Sequence, residues 1–489
     1  MTSRDDHREH ARGPAAPEPS RGGRRLSVPQ ERPRLLALVL LEVLALVPVA
    51  LWGAMSPLGP RFGSLATSLQ SVAIALALAG TACFALNLFL GGRLWFVENL
   101  FGGLDRMYRV HQVNGRFAHL LLASHAVLMV ASSATSSIST ALHLFIPSGN
   151  WAIFLGPVAL AAMTISIGLS LFANLEHEVF VWVQRSFGAI FVVALFHFLR
   201  VPAAGVASQS LKVYLAGISA VGVGAWIYRS VFGNVLVRRH DYFVADVRRL
   251  ADRVTEITMV PVGAPVVFVP GQFLYVTFRS AGISRGLHPV ALSPEEQSPT
   301  LRVRPGDIAN QFHPFSITSP PAAAELKVAV KAVGDYTTAM RDLAPGDAAR
   351  IEGPYGRFSY RKIANTRQIW IAGGIGVTPF LSMARDLETT LSYEIVLYYC
   401  TKSLEAALFL DDLNDVAVRY PSLRVISFRE DEHGWITAAE IEQNDHIGDR
   451  DILICGPVAM IDSLTAQFEA IGIPQRRIHF ERFGFIGSS

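Results

Sequence analysis

The chain has 489 residues, of which 51% are hydrophobic and only 17% charged, and its mean hydropathy is +0.34. This composition excludes an ordinary soluble protein and predicts several membrane spans. The net charge of +3 argues against nucleic-acid binding, and three widely separated cysteines (Cys83, Cys400 and Cys455) argue against a disulfide framework.

The first 33 residues are rich in Arg, Pro, Gly and Ala and carry almost no aliphatic run. We expect residues 1–33 to form a disordered basic tail in the cytosol, because this composition buries too little apolar surface to fold. The segment lacks the pattern of a signal peptide, in which a short apolar core precedes a small-residue cleavage site.

Six apolar segments follow, each long enough to cross a bilayer at about 20 residues per span. They are 35–55, 65–90, 111–131, 151–173, 179–199 and 211–231. Arginines occur in the tail, between the second and third segments and after the sixth, whereas 132–149 has no Lys or Arg. The positive-inside rule therefore predicts both termini in the cytosol. We expect a transmembrane domain over 34–235, in a bacterial inner or plasma membrane.

Beyond the sixth segment the pattern becomes that of a soluble protein. Short β-type runs punctuated by Pro and Gly predict an antiparallel β-barrel over 238–362, with 279–311 as an inserted surface loop. From 363 to 489, strand-like runs alternate with helical ones, which predicts a doubly wound α/β domain. The expected fold is a multi-domain membrane protein, with an all-α six-helix transmembrane bundle followed by the barrel and the α/β domain.

Histidines stand inside two of the apolar segments. His111 and His125 lie 14 residues apart, within about 40° of each other on a helix and about 21 Å apart along it. Ionisable groups inside a span are costly and usually functional, and imidazole is a ligand of haem iron. We therefore predict that His125 and His197, at similar depth near the outer side, are axial ligands of one haem. His119, about 80° from His111, is expected to make a hydrogen bond between helices.

The predicted barrel contains a pattern suited to a flavin. HPFSITSPP (313–321) ends a strand and can lay a ring system on the strand backbone, with Ser316 as a hydrogen-bond partner. VKAVGDYTTAM (330–340) offers the charge of Lys331 and a glycine that lets backbone amides approach a diphosphate. Thr337 can cap the following helix and donate to phosphate.

The α/β domain contains a pattern suited to a dinucleotide. IAGGIGVTPFLSM (371–383) runs from strand through glycine loop to helix, which brings a pyrophosphate to a helix N-terminus. CGP (455–457) ends another strand, where Cys455 either borders the nicotinamide or is a buried small hydrophobe. ERFGF (481–485) places Phe483 and Phe485 near the C-terminus, where an aromatic either covers a flavin ring or packs in the core.

Together the motifs resemble the ferric reductase and NADPH oxidase superfamily over 34 to about 485, and the second half resembles the ferredoxin–NADP reductase fold. The resemblance implies FAD on the barrel, NADPH on the α/β domain and b-type haem between the third and fifth segments. It implies FAD contacts at His313, Pro314, Phe315, Ser316, Lys331 and Thr337, and nucleotide contacts at Gly373, Gly374, Gly376, Thr378, Pro379, Cys455, Gly456 and Pro457. Lys402 stands where members of the family often bind the 2′-phosphate of NADPH, which favours NADPH over NADH. Cys455 and Phe483 are the expected catalytic residues.

The fifth segment departs from the family pattern. The family has two haem histidines on each of two spans; His111, His125 and His197 match as metal ligands, but Gln184 stands where the fourth is expected. An amide is a poor iron ligand, and 13 residues are about 140° out of phase on an ideal helix. An inner haem is therefore absent, held by His111 alone, or ligated by His119 or His177.

The leading hypothesis is transmembrane electron transfer from cytosolic NADPH through FAD and haem to an external acceptor, either O2 or ferric iron. An alternative is a membrane-anchored NAD(P)H–flavin reductase that serves a partner redox protein, with an incomplete haem relay. A third is a haem-binding sensor whose flavin domain only reads redox state. The intact flavin and nucleotide motifs argue against the third.

Overall fold

The computed structural model describes residues 31–55, 58–146, 151–173, 175, 177–201, 208–251, 253–279, 311–388 and 392–482. Most of the predicted basic tail and inserted loop, as well as Phe483 and Phe485, lie outside these residues. The first helix begins at Glu31, slightly earlier than the predicted end of the tail.

Six long apolar helices confirm the predicted membrane spans. The spans, numbered first to sixth, are Glu31–Gly53, Leu65–Gly91, Leu104–Ala134, Trp151–Phe172, His177–Arg200 and Gln209–Trp226, the last continuing as a π-helical turn over Ile227–Val231. Each contains an apolar window long enough to cross a membrane. Short helices at Leu58–Arg61, Trp95–Phe101, Ile138–Leu142 and Gly233–Leu236 occur in the connections. The chain is therefore an integral membrane protein.

The second span is the centre of the bundle. It packs along the third and sixth spans and against the first, while the fourth span packs along the fifth. Small residues permit close approach: a Cβ on Gly222 of the sixth span would lie 2.3 Å from the Ala85 carbonyl oxygen of the second. The third and fifth spans make little direct contact over their described residues. The two helices that carry His125 and His197 are therefore not packed directly against each other over these residues.

The first soluble domain is built on a six-stranded antiparallel sheet. Its strands are β1 (Arg239–Ala251), β2 (Val254–Pro261), β3 (Phe273–Arg279), β4 (His313–Ser316), β5 (Leu326–Lys331) and β6 (Ala348–Tyr355), in the order β4-β3-β6-β1-β2-β5. The predicted antiparallel barrel is present as a curled sheet that does not close. Among the described residues the edge strands β4 and β5 meet only at an isolated bridge between Ile317 and Val328, so the curled sheet stays open elsewhere.

The second soluble domain is built on a five-stranded parallel sheet. Its strands are β7 (Arg367–Gly373), β8 (Glu394–Thr401), β9 (Leu423–Arg429), β10 (Asp451–Cys455) and β11 (Ile478–Glu481), in the order β11-β10-β7-β8-β9. The longer helices between them are Thr378–Arg385, Leu410–Arg419, Ala438–Asp445 and Val458–Ala470. Apolar clusters cover both faces of the sheet, as a doubly wound sheet requires. Together the two domains form the expected ferredoxin–NADP reductase-like fold.

Candidate functional site

The two histidines predicted near the outer side share one hydrogen-bonding arrangement. Nδ1 of His125 donates to the Ala73 carbonyl at 2.9 Å, and Nδ1 of His197 donates to the Ala152 carbonyl at 2.8 Å. Because a carbonyl only accepts, each ring carries its proton on Nδ1 and keeps the Nε2 lone pair for a metal. The His197 ring lies on Gly156, where a Cβ would stand 3.0 Å from Nε2. Two imidazoles that each keep Nε2 unbonded have the donor atoms that ligate haem iron.

His111 is anchored in the same way, towards the N-terminal end of the third span. Its Nδ1 donates to the Asn87 carbonyl at 3.0 Å. Asn87 lies 14 residues after Ala73, and His111 lies 14 residues before His125, so the antiparallel second and third spans repeat one contact at two depths. The structure thus places His111 on the face of the third span that faces the second, as it does His125.

The other residues considered for the inner position do not complete a ligand pair. The Gln184 amide donates to the Ser170 hydroxyl of the fourth span at 3.0 Å. Nδ1 of His119 is buried and makes no hydrogen bond with the part of the chain that the structure describes, so the expected bond between helices is not found. The side chain of His177 lies outside the described residues.

The predicted flavin residues lie along the edge of the antiparallel sheet. β4 pairs with β3 on one side only, so apart from the Ile317 bridge the backbone polar groups of its other edge face no described strand. The His313 ring stacks on Tyr336, with centroids 3.9 Å apart, and Tyr336 is fixed by a hydrogen bond from its hydroxyl to the Val276 carbonyl. An open strand edge beside stacked rings fits a planar flavin.

The remaining flavin candidates flank this edge. Pro314 and Phe315 pair with β3, and Ser316 is buried at the end of β4. Lys331 is exposed at the end of β5. The Thr337 hydroxyl accepts from the backbone amides of Val333 and Gly334, at 2.9 and 3.0 Å, so it shapes the turn after β5.

The predicted nucleotide residues meet at one edge of the parallel sheet. β7 has β8 on one side and β10 on the other, so the chain reverses its winding between β7 and β10, where open α/β sheets bind ligands. The glycine loop follows β7, and Cys455, Gly456 and Pro457 follow β10. A Cβ on Gly376 would lie 2.4 Å from the Cys455 carbonyl oxygen, so only glycine admits this contact. Thr378 and Pro379 begin the next helix, and Gly373 and Gly374 complete the loop.

Cys455 is fully buried at this switch point. Burial raises the pKa of its thiol well above the ordinary value, and the charge of Glu481 adds to the effect. The thiol is therefore neutral and is suited to packing beside a nicotinamide rather than to nucleophilic attack. Lys402 is exposed just after β8, at the same edge of the sheet.

A buried charge cluster joins the membrane half to the flavin domain and was not predicted from the sequence. We define the junction cluster as Glu352, Arg229, Arg239 and Tyr355. Glu352 is 1% exposed and lies 2.7 Å from Arg229 and 3.4 Å from Arg239, and it accepts a hydrogen bond from the Tyr355 hydroxyl at 2.9 Å. Burial opposes ionisation, but Arg229, Arg93 and Tyr355 together hold the pKa of Glu352 below its ordinary value.

Contacts of the connection between the second and third spans extend this junction. The buried Glu98 carboxylate accepts from the Gly356 backbone amide at 2.9 Å, and Arg357 donates to the Asn99 carbonyl at 2.8 Å. The Arg93 guanidinium lies 4.8 Å from the ring centroid of Tyr275, on β3. The available sequence signals were the opposite charges of Arg93 and Glu98 in the connection and the glycine motif GPYGRF at 353–358, which by itself indicated only a turn.

Comparison with known proteins gives two family matches. Residues 76–195 match the family described as "Ferric reductase like transmembrane component", and residues 370–465 match "Oxidoreductase NAD-binding domain". The chain is 23% identical over 224 residues to a flavohemoprotein of Rhizobium meliloti (strain 1021), covering 40% of this chain and 56% of that protein. It is 32% identical over 198 residues to the phthalate 4,5-dioxygenase oxygenase reductase subunit of Pseudomonas putida, covering 38% and 56%. The chain thus spans about half the length of these curated relatives.

Two solved structures show partial similarity. The FAD/NAD-binding domain of nitric oxide dioxygenase from Vibrio cholerae O1 biovar El Tor aligns with a TM-score of 0.41 and 20% identity, over 50% of this chain and 98% of that one. Flavohemoglobin from Malassezia yamatoensis aligns with a TM-score of 0.45 and 16% identity, over 85% and 98%.

Proposed function

We propose that this chain, whose two matched domains fit the ferric reductase and NADPH oxidase superfamily, is a transmembrane flavohaem oxidoreductase. It takes electrons from cytosolic NADPH and delivers them through FAD and b-type haem to O2 or ferric iron across the membrane. The observation that carries the proposal is the pair His125 and His197, each with Nδ1 fixed on a backbone carbonyl and Nε2 left for iron.

Each set of residues has a distinct task in this scheme. When bound, FAD accepts hydride from NADPH and gives up single electrons, which haem iron can carry. The glycine loop after β7 and the CGP turn hold the dinucleotide at the switch point, and Lys402 selects the 2′-phosphate. The edge of β4 and the turn at Gly334 hold the flavin. The junction cluster keeps the flavin domain against the cytosolic ends of the spans.

Several features remain predictions within this proposal. They are the domain boundaries 34–235, 238–362 and 363–489, cytosolic termini and a bacterial membrane. The resemblance favours NADPH, and Lys402 at the end of β8 supports that choice, since a Lys ammonium can bind a phosphate. Covering of the flavin by Phe483 also remains a prediction.

Ligand variants test the haem assignment directly. In His125→Ala and His197→Ala proteins we expect loss of haem and of NADPH-driven haem reduction, while NADPH still reduces the flavin. His119→Ala is the matched control, because His119 shares the third span but has no carbonyl-anchored ring. If either ligand variant kept full haem content, the assignment would be wrong.

The acceptor is identified with purified protein in vesicles supplied with NADPH inside. Superoxide outside would identify O2 as the acceptor, and ferrous iron trapped by a chelator would identify ferric iron.

A second candidate function is supported by the similarity of the reductase half to the Pseudomonas putida reductase subunit. If NADPH turnover needed an added redox protein although haem was bound, the partner-reductase function would replace the transmembrane one.

A further inference from the structure

The inner haem position of the family is filled by side chains of this chain. To bind a haem at this inner position, the fifth span would have to supply an iron ligand at residue 184. It would also have to supply a surface for the porphyrin at Gly188, one turn later on the same face. Gly188 is covered by the Trp226 indole of the sixth span: a Cβ on Gly188 would lie 2.1 Å from ring atoms of Trp226. The indole N–H donates to the Arg185 carbonyl at 2.9 Å, which fixes the ring there.

On the third span, too, a side chain occupies the space beside a glycine. Gly115 lies one turn after His111, on the same face. A Cβ on Gly115 would lie 2.8 Å from the Asn87 side-chain nitrogen, so the Asn87 amide occupies the space that this glycine leaves. Asn87 is itself held, because its side-chain oxygen accepts from Asn114 at 3.2 Å. Neither glycine therefore leaves a bare surface for a porphyrin.

The residue at the ligand position is also engaged elsewhere. Gln184 donates to Ser170 of the fourth span, so its side chain is directed to that neighbour. The amide would be a weak ligand even if it turned.

On the basis of the proposed function, we infer that the chain binds one haem, between His125 and His197. We also infer that Trp226 blocks the position of a second haem. His111 is then a structural histidine that ties the third span to the second through the Asn87 carbonyl. This chain does not fit the second haem that the family implies, because Trp226 and Asn87 occupy the inner position.

The first test is the haem-to-flavin ratio of the full-length protein in detergent, with a reductive titration of the haem. We expect a ratio of one and a single reduction step. A ratio of two with two steps would overturn the inference and leave the proposed function intact. A protein that binds flavin but no haem would overturn both.

Variants distinguish the effect of Trp226 covering Gly188 from the effect of lacking a histidine at residue 184. His111→Ala should keep the haem content of the parent protein, and halving of that content would refute a structural role for His111. Gln184→His alone should stay at one haem, because Trp226 still covers Gly188. Gln184→His with Trp226→Gly should rise towards two, and failure to rise would refute Trp226 as the obstacle.

A matched control addresses general loosening of the bundle. Trp182 is on the same span as Gln184 but is 68% exposed. Gln184→His with Trp182→Gly should stay at one haem per flavin. A second haem in this control, or in Gln184→His alone, would show that the inner position is open and would overturn the inference.

Discussion

Loss of the Glu352 charge should loosen the reductase half from the membrane half. Glu352→Gln leaves Arg229 and Arg239 beside a neutral amide in a site where the carboxylate is 1% exposed. Removing one partner of a buried ion pair costs about 3–5 kcal/mol, and we take the lower end because the amide oxygen can still accept a hydrogen bond. About 3 kcal/mol corresponds to roughly a 100-fold shift in the docking equilibrium.

Amide hydrogen exchange at the junction measures this shift. The Gly356 amide donates to Glu98 across the junction, so it exchanges when the two halves separate. We expect peptides containing Gly356 to exchange about 100-fold faster in Glu352→Gln, and haem reduction after flavin reduction to slow. Flavin reduction by NADPH should not change, because the switch point between β7 and β10 is not part of the junction.

A second buried glutamate provides the control. Glu256 is 4% exposed, lies 4.0 Å from Arg385 of the α/β domain, and pairs with Arg248 at 2.9 Å within the flavin domain. Glu256→Gln should lower the stability of that domain without selective exchange at Gly356. Unchanged exchange at Gly356 in Glu352→Gln would refute the view that this charge holds the two halves together, and equal acceleration in both variants would show only general destabilisation.

Three further predictions concern pH and the nucleotide site. Since the folded pKa of Glu352 is below its unfolded value, its contribution to docking is complete above about pH 4.3 and is lost as pH falls through the folded pKa. The exchange rate of the Gly356 amide, corrected for its intrinsic pH dependence, should therefore rise in that acidic range. An unchanged rate there would contradict the pairing of Glu352 with the arginines. Gly376→Ala puts a Cβ 2.4 Å from the Cys455 carbonyl and should slow NADPH-driven flavin reduction at least about tenfold, whereas Gly263→Ala, with open space around it, should not. Lys402→Ala should lower kcat/KM for NADPH about 10- to 100-fold and leave NADH unaffected, as loss of one charge-assisted hydrogen bond predicts; equal loss for both would exclude a 2′-phosphate contact.

Local sequence pattern was sufficient for the architecture. A run of about 20 apolar residues can satisfy its backbone in a bilayer only as a helix, so the six spans follow from composition. The glycine loop after β7 is equally local, because strand, turn and helix signals are contiguous there. The 14-residue spacing also placed His111 and His125 on one helix face, where the structure has them.

The tertiary structure alone decided what surrounds those residues. Arg229 meets Glu352 across 123 positions, and Trp226 meets Arg185 across 41, so no periodicity within one helix or strand reports either contact. The same holds for the carbonyls that fix the histidine tautomers, since every helix residue has a carbonyl and only packing selects Ala73 or Ala152. The open edge of the antiparallel sheet likewise depends on how far six strands curl. The sequence by itself determined the elements and their order, whereas the packing of distant residues decided which ring nitrogen of each histidine is left unbonded and how the two halves are joined.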